Sequence, residues 1–102
     1  MLILPIKKKW FDMILSGEKK EEYREIKPYY NTRIGLCYDG TLLNDEGEER
    51  DVLFRNGYGK NAPSFIATCT VSLGTGKAEG GAEPGKKYFV LHILKVSEVL
   101  RQ

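Results

Sequence analysis

The sequence predicts an α+β fold in which a strand-rich second half curls into a small mixed β-barrel and two helices sit in the N-terminal half. Two observations carry this. Residues 6–17 place Ile6, Trp10, Met13, Ile14 and Gly17 on one helical face, with Phe11 and Leu15 widening it. From residue 51 onward, short alternating or continuous apolar runs recur between glycine-rich turns, the pattern of strands. The length of 102 residues suits one domain, 1–102, able to bury roughly 60–70% of its unfolded surface.

The apolar segment Leu2 to Ile6 reads as a strand. A helix follows over Lys8 to Ser16, with Lys7, Lys8, Lys9 and Asp12 left outside its apolar face. Gly17 ends it, because glycine takes the left-handed conformation at little cost. A strand then carries Glu22 and Arg24 on one side and Tyr23 on the other; the aromatic side is expected to be the buried one. Lys27 to Arg33 reads as a turn into a short helix with Pro28 in its first turn. Asp39-Gly40 and Asn44 to Glu49 form an acidic, turn-rich stretch expected as an exposed hairpin or loop. Strands are expected at Asp51–Asn56, ending at Gly57-Tyr58-Gly59, and at Ser64–Leu73, with Phe65, Ala67, Cys69, Val71 and Leu73 on one face. Gly74 to Gly85, with five glycines and a proline, is expected as a long mobile connection. Tyr88 to Val96 suits a strand covered on both faces.

No repeat, low-complexity run or linker divides the chain. Cys37 and Cys69 have no Cys or His at ligand spacing, so neither a zinc site nor a disulfide framework is suggested; no metal or cofactor is expected, and both thiols read as packing residues. Met1 to Ile6 is too short for a signal core or a membrane span, which points to a soluble cytoplasmic protein without a membrane partner. The net charge of +2 is a weak signal for a polyanionic partner. Its distribution says more: residues 1–33 carry +3, residues 34–51 carry −5 and residues 52–102 carry +4, so the basic ends can form one face with the acidic segment turned away.

The segment Gly17-Glu18-Lys19-Lys20-Glu21-Glu22-Tyr23-Arg24 concentrates the chemistry. Helix end and strand aim Lys19, Glu22 and Arg24 at one edge. Two readings stand: an ordinary solvated ion pair worth ~0.2–1 kcal/mol, or a site. The pattern G-x-K-x-x-E-x-R, with Gly17, Lys19, Glu22 and Arg24 in its fixed places, resembles that of the ASCH domain family. The element order around it is also similar to that family, over the whole chain. The resemblance implies a PUA-like small mixed barrel that binds RNA or modified nucleosides in a cleft beside the motif. One branch, the acetylcytidine amidohydrolases, uses a threonine nucleophile where this chain has Glu22, which argues against that reaction here. Ribonuclease activity is also associated with the family.

As a binding site, Lys19 and Arg24 suit phosphate or carbonyl oxygens and Glu22 suits an exocyclic amine. Tyr29, Tyr30 and Tyr58 are the stacking candidates. Arg55, Tyr58 and Lys60 are candidates for a cleft edge, in a segment that matches the octapeptide of RNA-recognition strands only in part. Trp10 reads as core. As an enzyme, Glu22 is the general base and Lys19 its electrostatic helper. Gly74-Thr75-Gly76-Lys77 lacks the first glycine and the Ser/Thr of a phosphate loop, and His92, in an apolar strand, reads as a satisfied interior residue. The leading expectation is an RNA- or nucleotide-binding domain. The alternatives are a hydrolase acting on RNA or a modified nucleoside, and a protein-interaction module that docks a basic partner on Asp45 to Asp51.

Overall fold

The computed structural model describes residues 1–34, 37–38, 41–42 and 47–100. Its elements run β1 (Leu2–Ile6), α1 (Lys8–Leu15), β2 (Glu21–Glu25), α2 (Pro28–Asn31), the short pair β3 (Cys37–Tyr38) and β4 (Thr41–Leu42), β5 (Arg50–Asn56), β6 (Ser64–Thr75), a 3-10 turn (Ala78–Gly80) and β7 (Lys87–Val96). Five strands form one curled mixed sheet in the order β1-β5-β6-β7-β2. Only β1 and β5 are parallel, joined through α1 and the segments that follow it; the other neighbours are antiparallel. Of the acidic stretch, Asp39, Gly40, Asn44, Asp45 and Glu46 lie outside the described residues, whereas Glu48, Glu49 and Asp51 are exposed.

Alternation decides the core. Phe65, Ala67, Cys69 and Val71 of β6 are all essentially solvent-free and face Val52 and Phe54 of β5 and Phe89 and Leu91 of β7. The helix lays Phe11 and Ile14 on this face, with the Phe11 ring 4.9 Å from that of Phe65; its lysines stay in water. Gly17, at φ 82°, ends α1 as expected, and the Lys19 amide bonds back to the Met13 carbonyl at 3.0 Å. In β7 only Tyr88 to Leu91 are covered on both faces, because the tail from Leu94 to Val96 runs into solvent.

Contrary to expectation, the connection from β6 to β7 is tied down. The Lys77 amide donates to the Tyr23 hydroxyl at 3.1 Å, the Glu83 amide donates to the Tyr88 hydroxyl at 2.9 Å, and Ala82 is buried. Glycine is required here for close approach: a Cβ on Gly76 would sit 2.6 Å from the Ala82 Cβ and 2.7 Å from the Tyr23 ring. This strap covers the convex side of the sheet beside Tyr23 and Tyr88, whose rings lie 5.9 Å apart. Among the described residues no helix is long and apolar enough to cross a membrane.

Candidate functional site

Register turns the charged side of β2 inward. Glu22 lies opposite Leu91 and Arg24 opposite Phe89, both core residues, while Tyr23 takes the convex side under the strap. The expectation that the aromatic side alone is buried is therefore corrected: Lys19 is 5% exposed and Glu22 6%, and the Arg24 side chain 12%. The reason is closure. Strands β1 and β2 are the two edges of the curled sheet and share no ladder, so Arg24 spans the opening by donating from Nη2 to the Pro5 carbonyl at 2.8 Å.

The three charges of the motif meet. Lys19 Nζ lies 3.4 Å from Glu22 Oε1, and Arg24 Nη2 donates to Glu22 Oε2 at 2.9 Å. Arg24 Nη1 donates to the Tyr30 hydroxyl at 3.0 Å, which couples the triad to α2, and its Nε is buried with no hydrogen-bond partner. Lys19 sits 4.8 Å from the Trp10 ring centre and 4.7 Å from that of Tyr23, and donates to the Gly80 carbonyl. Such a desolvated cation between two rings gains ~2 kcal/mol or more from their quadrupoles. Burial pulls the Lys19 ammonium below the ordinary lysine value, against the opposing pull of Glu22. The triad is thus a fixed support for the strap, α1 and both sheet edges.

A cleft of about 640 Å³ opens over it. Its walls are the end of β1 and start of α1, residues 22–25 of β2, Lys27 and Tyr30, the turn Asn56-Gly57-Tyr58, the strap residues Gly81, Glu83 and Lys86, and Tyr88. Lys7, Lys8, Arg24, Lys27 and Lys86 outnumber Glu22, Glu25 and Glu83, so the cleft is electropositive, and Trp10, Tyr30, Tyr58 and Tyr88 bring aromatic surface to it.

Of the residues selected from sequence, Glu22, Arg24, Tyr30 and Tyr58 line this cleft. Lys19 instead lines a neighbouring hollow of about 200 Å³ with Glu21, Lys77 and Glu79, and Tyr23 stands between the two. Tyr29 borders a hollow of about 340 Å³ with Arg24, Tyr30 and Tyr58, its ring 3.7 Å from the Arg33 guanidinium. Arg55 and Lys60 are absent from these walls: Arg55 follows Phe54 on β5 and so takes the convex side, and Lys60 is exposed in the loop beyond. Trp10 does pack against the core, as read, but it also lines the cleft. Lys27, Lys86 and Glu83 were missed because their positions depend on how the turn before α2 and the strap fold back. His92 is corrected too: its side chain is 40% exposed on the convex face, in contact with Ser72 and Glu21. Cys69 is buried as expected. Among the described residues no group of three or more His, Cys, Asp or Glu is placed to hold a metal ion.

No protein-family model matches the chain, and neither the curated proteins nor the solved structures contain a match to it.

The buried Cys69 and the half-buried Tyr23 give a pH test of this packing. Burial, reinforced by Asp51, pushes the Cys69 thiol from 9.0 to about 12, and burial together with Glu21 pushes the Tyr23 hydroxyl from 10.0 to about 12. Each holds its proton in the folded chain after the unfolded chain has lost it. Their stabilising contribution is therefore complete below these ordinary values and fades as pH rises toward about 12. Lys19 acts in the opposite sense below 10.5, since the folded chain binds its proton less tightly. The difference in urea stability between wild type and Cys69→Ala is expected to shrink between pH 9 and 12; a constant difference over that range would mean that Cys69 is not shielded.

Proposed function

We propose that the cleft binds RNA or a nucleotide-like ligand, and that the chain is an ASCH domain of the PUA-like kind. One observation carries the reading: the motif's Glu22 and Arg24 form the floor of an electropositive, aromatic-lined cleft whose volume of about 640 Å³ falls in the range of small-ligand sites. The curled mixed sheet, with a helix between its first strand and the G-x-K-x-x-E-x-R segment, is in keeping with the same family.

In this reading Lys7, Lys27 and Lys86 attract the anionic oxygens. Glu22 Oε2 or Oε1 accepts from an exocyclic amine. Tyr58, 89% exposed at the rim, stacks on a base. The hydrolase alternative is less well served by the geometry. Both Glu22 oxygens are engaged by cations and Lys19 is held by Gly80 and two rings, so the pair anchors better than it moves protons.

Titration with a short single-stranded RNA and with a mononucleotide tests the proposal. With ~4 phosphate contacts, the logarithm of RNA affinity should fall against log salt with a slope of about −3, and Lys86→Ala should make the slope shallower by about 0.7. Tyr58→Ala should weaken binding by ~1–3 kcal/mol. A flat salt response removes the polyanion, and no binding of either ligand removes the proposal.

A further inference from the structure

A second cluster lies on the convex face of the sheet, away from the cleft floor. Register places Glu21 of β2 directly across from His92 of β7, and Ser72 of β6 one step diagonal to His92. The side chains join: Ser72 Oγ is 2.7 Å from His92 Nε2, and His92 Nδ1 is 3.3 Å from Glu21 Oε2. The other Glu21 oxygen accepts the Tyr23 hydroxyl proton at 2.8 Å, which fixes the carboxylate. With the proton on Nδ1 donated to Glu21, Nε2 is free to accept from the Ser72 hydroxyl, so one tautomer satisfies both contacts. His92 is the chain's one histidine, and its side chain is 40% exposed, so the base is open to a reactant.

We propose that Ser72, His92 and Glu21 act as nucleophile, general base and orienting carboxylate, and that the substrate is a small carboxylic ester. The arrangement is that of an activated serine, defined by a nucleophile–base hydrogen bond and a third group that holds the base. Ser72 Oγ attacks the ester carbonyl as its proton passes to His92 Nε2. The carbonyl–oxygen bond to the leaving alcohol breaks, and the alcohol takes that proton. Water then attacks the acyl-Ser72 carbonyl, giving a proton to Nε2; the acid leaves and Ser72 recovers its hydrogen. The face is open and not a pocket, so the gain asked of the relay is that of general-base assistance, ~10²–10⁴-fold.

The test is incubation of the full chain with p-nitrophenyl acetate, following phenolate release and mapping the acetyl group by peptide mass spectrometry. Acetyl is expected on Ser72, with release lost in Ser72→Ala, lowered ~10²–10⁴-fold in His92→Gln, and lowered less in Glu21→Gln. A purely structural cross-strand contact predicts otherwise: these variants would shift the melting temperature, while acetyl would appear only on lysines at a rate unchanged by Ser72→Ala. That result overturns the proposal. Mapping the wild-type chain decides between the two even if a variant fails to fold.

Discussion

Glu22→Gln is expected to lower stability by about 3–5 kcal/mol, because it removes the one anion that two buried cations share. The side chains of Lys19, Glu22 and Arg24 are 3%, 8% and 12% exposed, so water does not take over the lost charge. The amide keeps the shape and can still accept one hydrogen bond, which isolates the electrostatic part. For a domain whose total stability is of order 5–15 kcal/mol, the change is a large fraction of the whole. It is read as a lower urea midpoint at unchanged slope, and ligand titrations on the variant belong at temperatures where it remains folded. A loss of only ~0.2–1 kcal/mol, the scale of a surface pair, would show that the triad is solvated and does not close the sheet edges.

Gly76→Ala should cost ~1–3 kcal/mol by overpacking, although it adds a single methyl group. That methyl meets Ala82 Cβ at 2.6 Å and the Tyr23 ring at 2.7 Å, so the strap must lift or Tyr23 must turn. Lifting loosens the Lys77 amide from the Tyr23 hydroxyl and the Gly80 carbonyl from Lys19. Because the same strap supplies Glu83 and Lys86 to the cleft, affinity for the proposed nucleotide-like ligand should fall along with stability. Faster tryptic cleavage after Lys77 and Lys86 would report the release directly. An unchanged melting temperature with unchanged cleavage would mean the strap is only loosely seated. Gly81 makes a related demand, with φ at 100° and a Cβ position 3.0 Å from the Trp10 ring, so the strap is fitted to α1 as well.

Much of the fold was legible from local pattern. The alternation from Phe65 to Leu73 marks the inner face of β6, and the spacing of Phe11 and Ile14 marks the buried side of α1. Proline and glycine gave the start of α2 and the end of α1. Of the residues singled out from sequence, Glu22, Arg24, Tyr30 and Tyr58 come together in one cleft. Composition misled at the strap, where five glycines were read as mobility; Gly76 and Gly80 instead allow close packing against Tyr23, and Gly81 against Trp10. Likewise the apolar neighbours of His92 pointed to the interior, whereas strand alternation puts it on the opposite face from Leu91 and Ile93.

The chain by itself determined which segments become strands and helix and which residues of β5, β6 and α1 turn inward, because burial with a period of 2 or 3.6 is written residue by residue. Only the tertiary structure decided that Glu22 and Arg24 face an interior and that Lys86 and Trp10 meet them across one cleft. Whether a charged row looks at water or at protein depends on how the two edges of a curled sheet approach each other. That approach joins Pro5 to Arg24, and the folded-back strap joins Gly80 to Lys19, pairs too distant in sequence for any local pattern to encode.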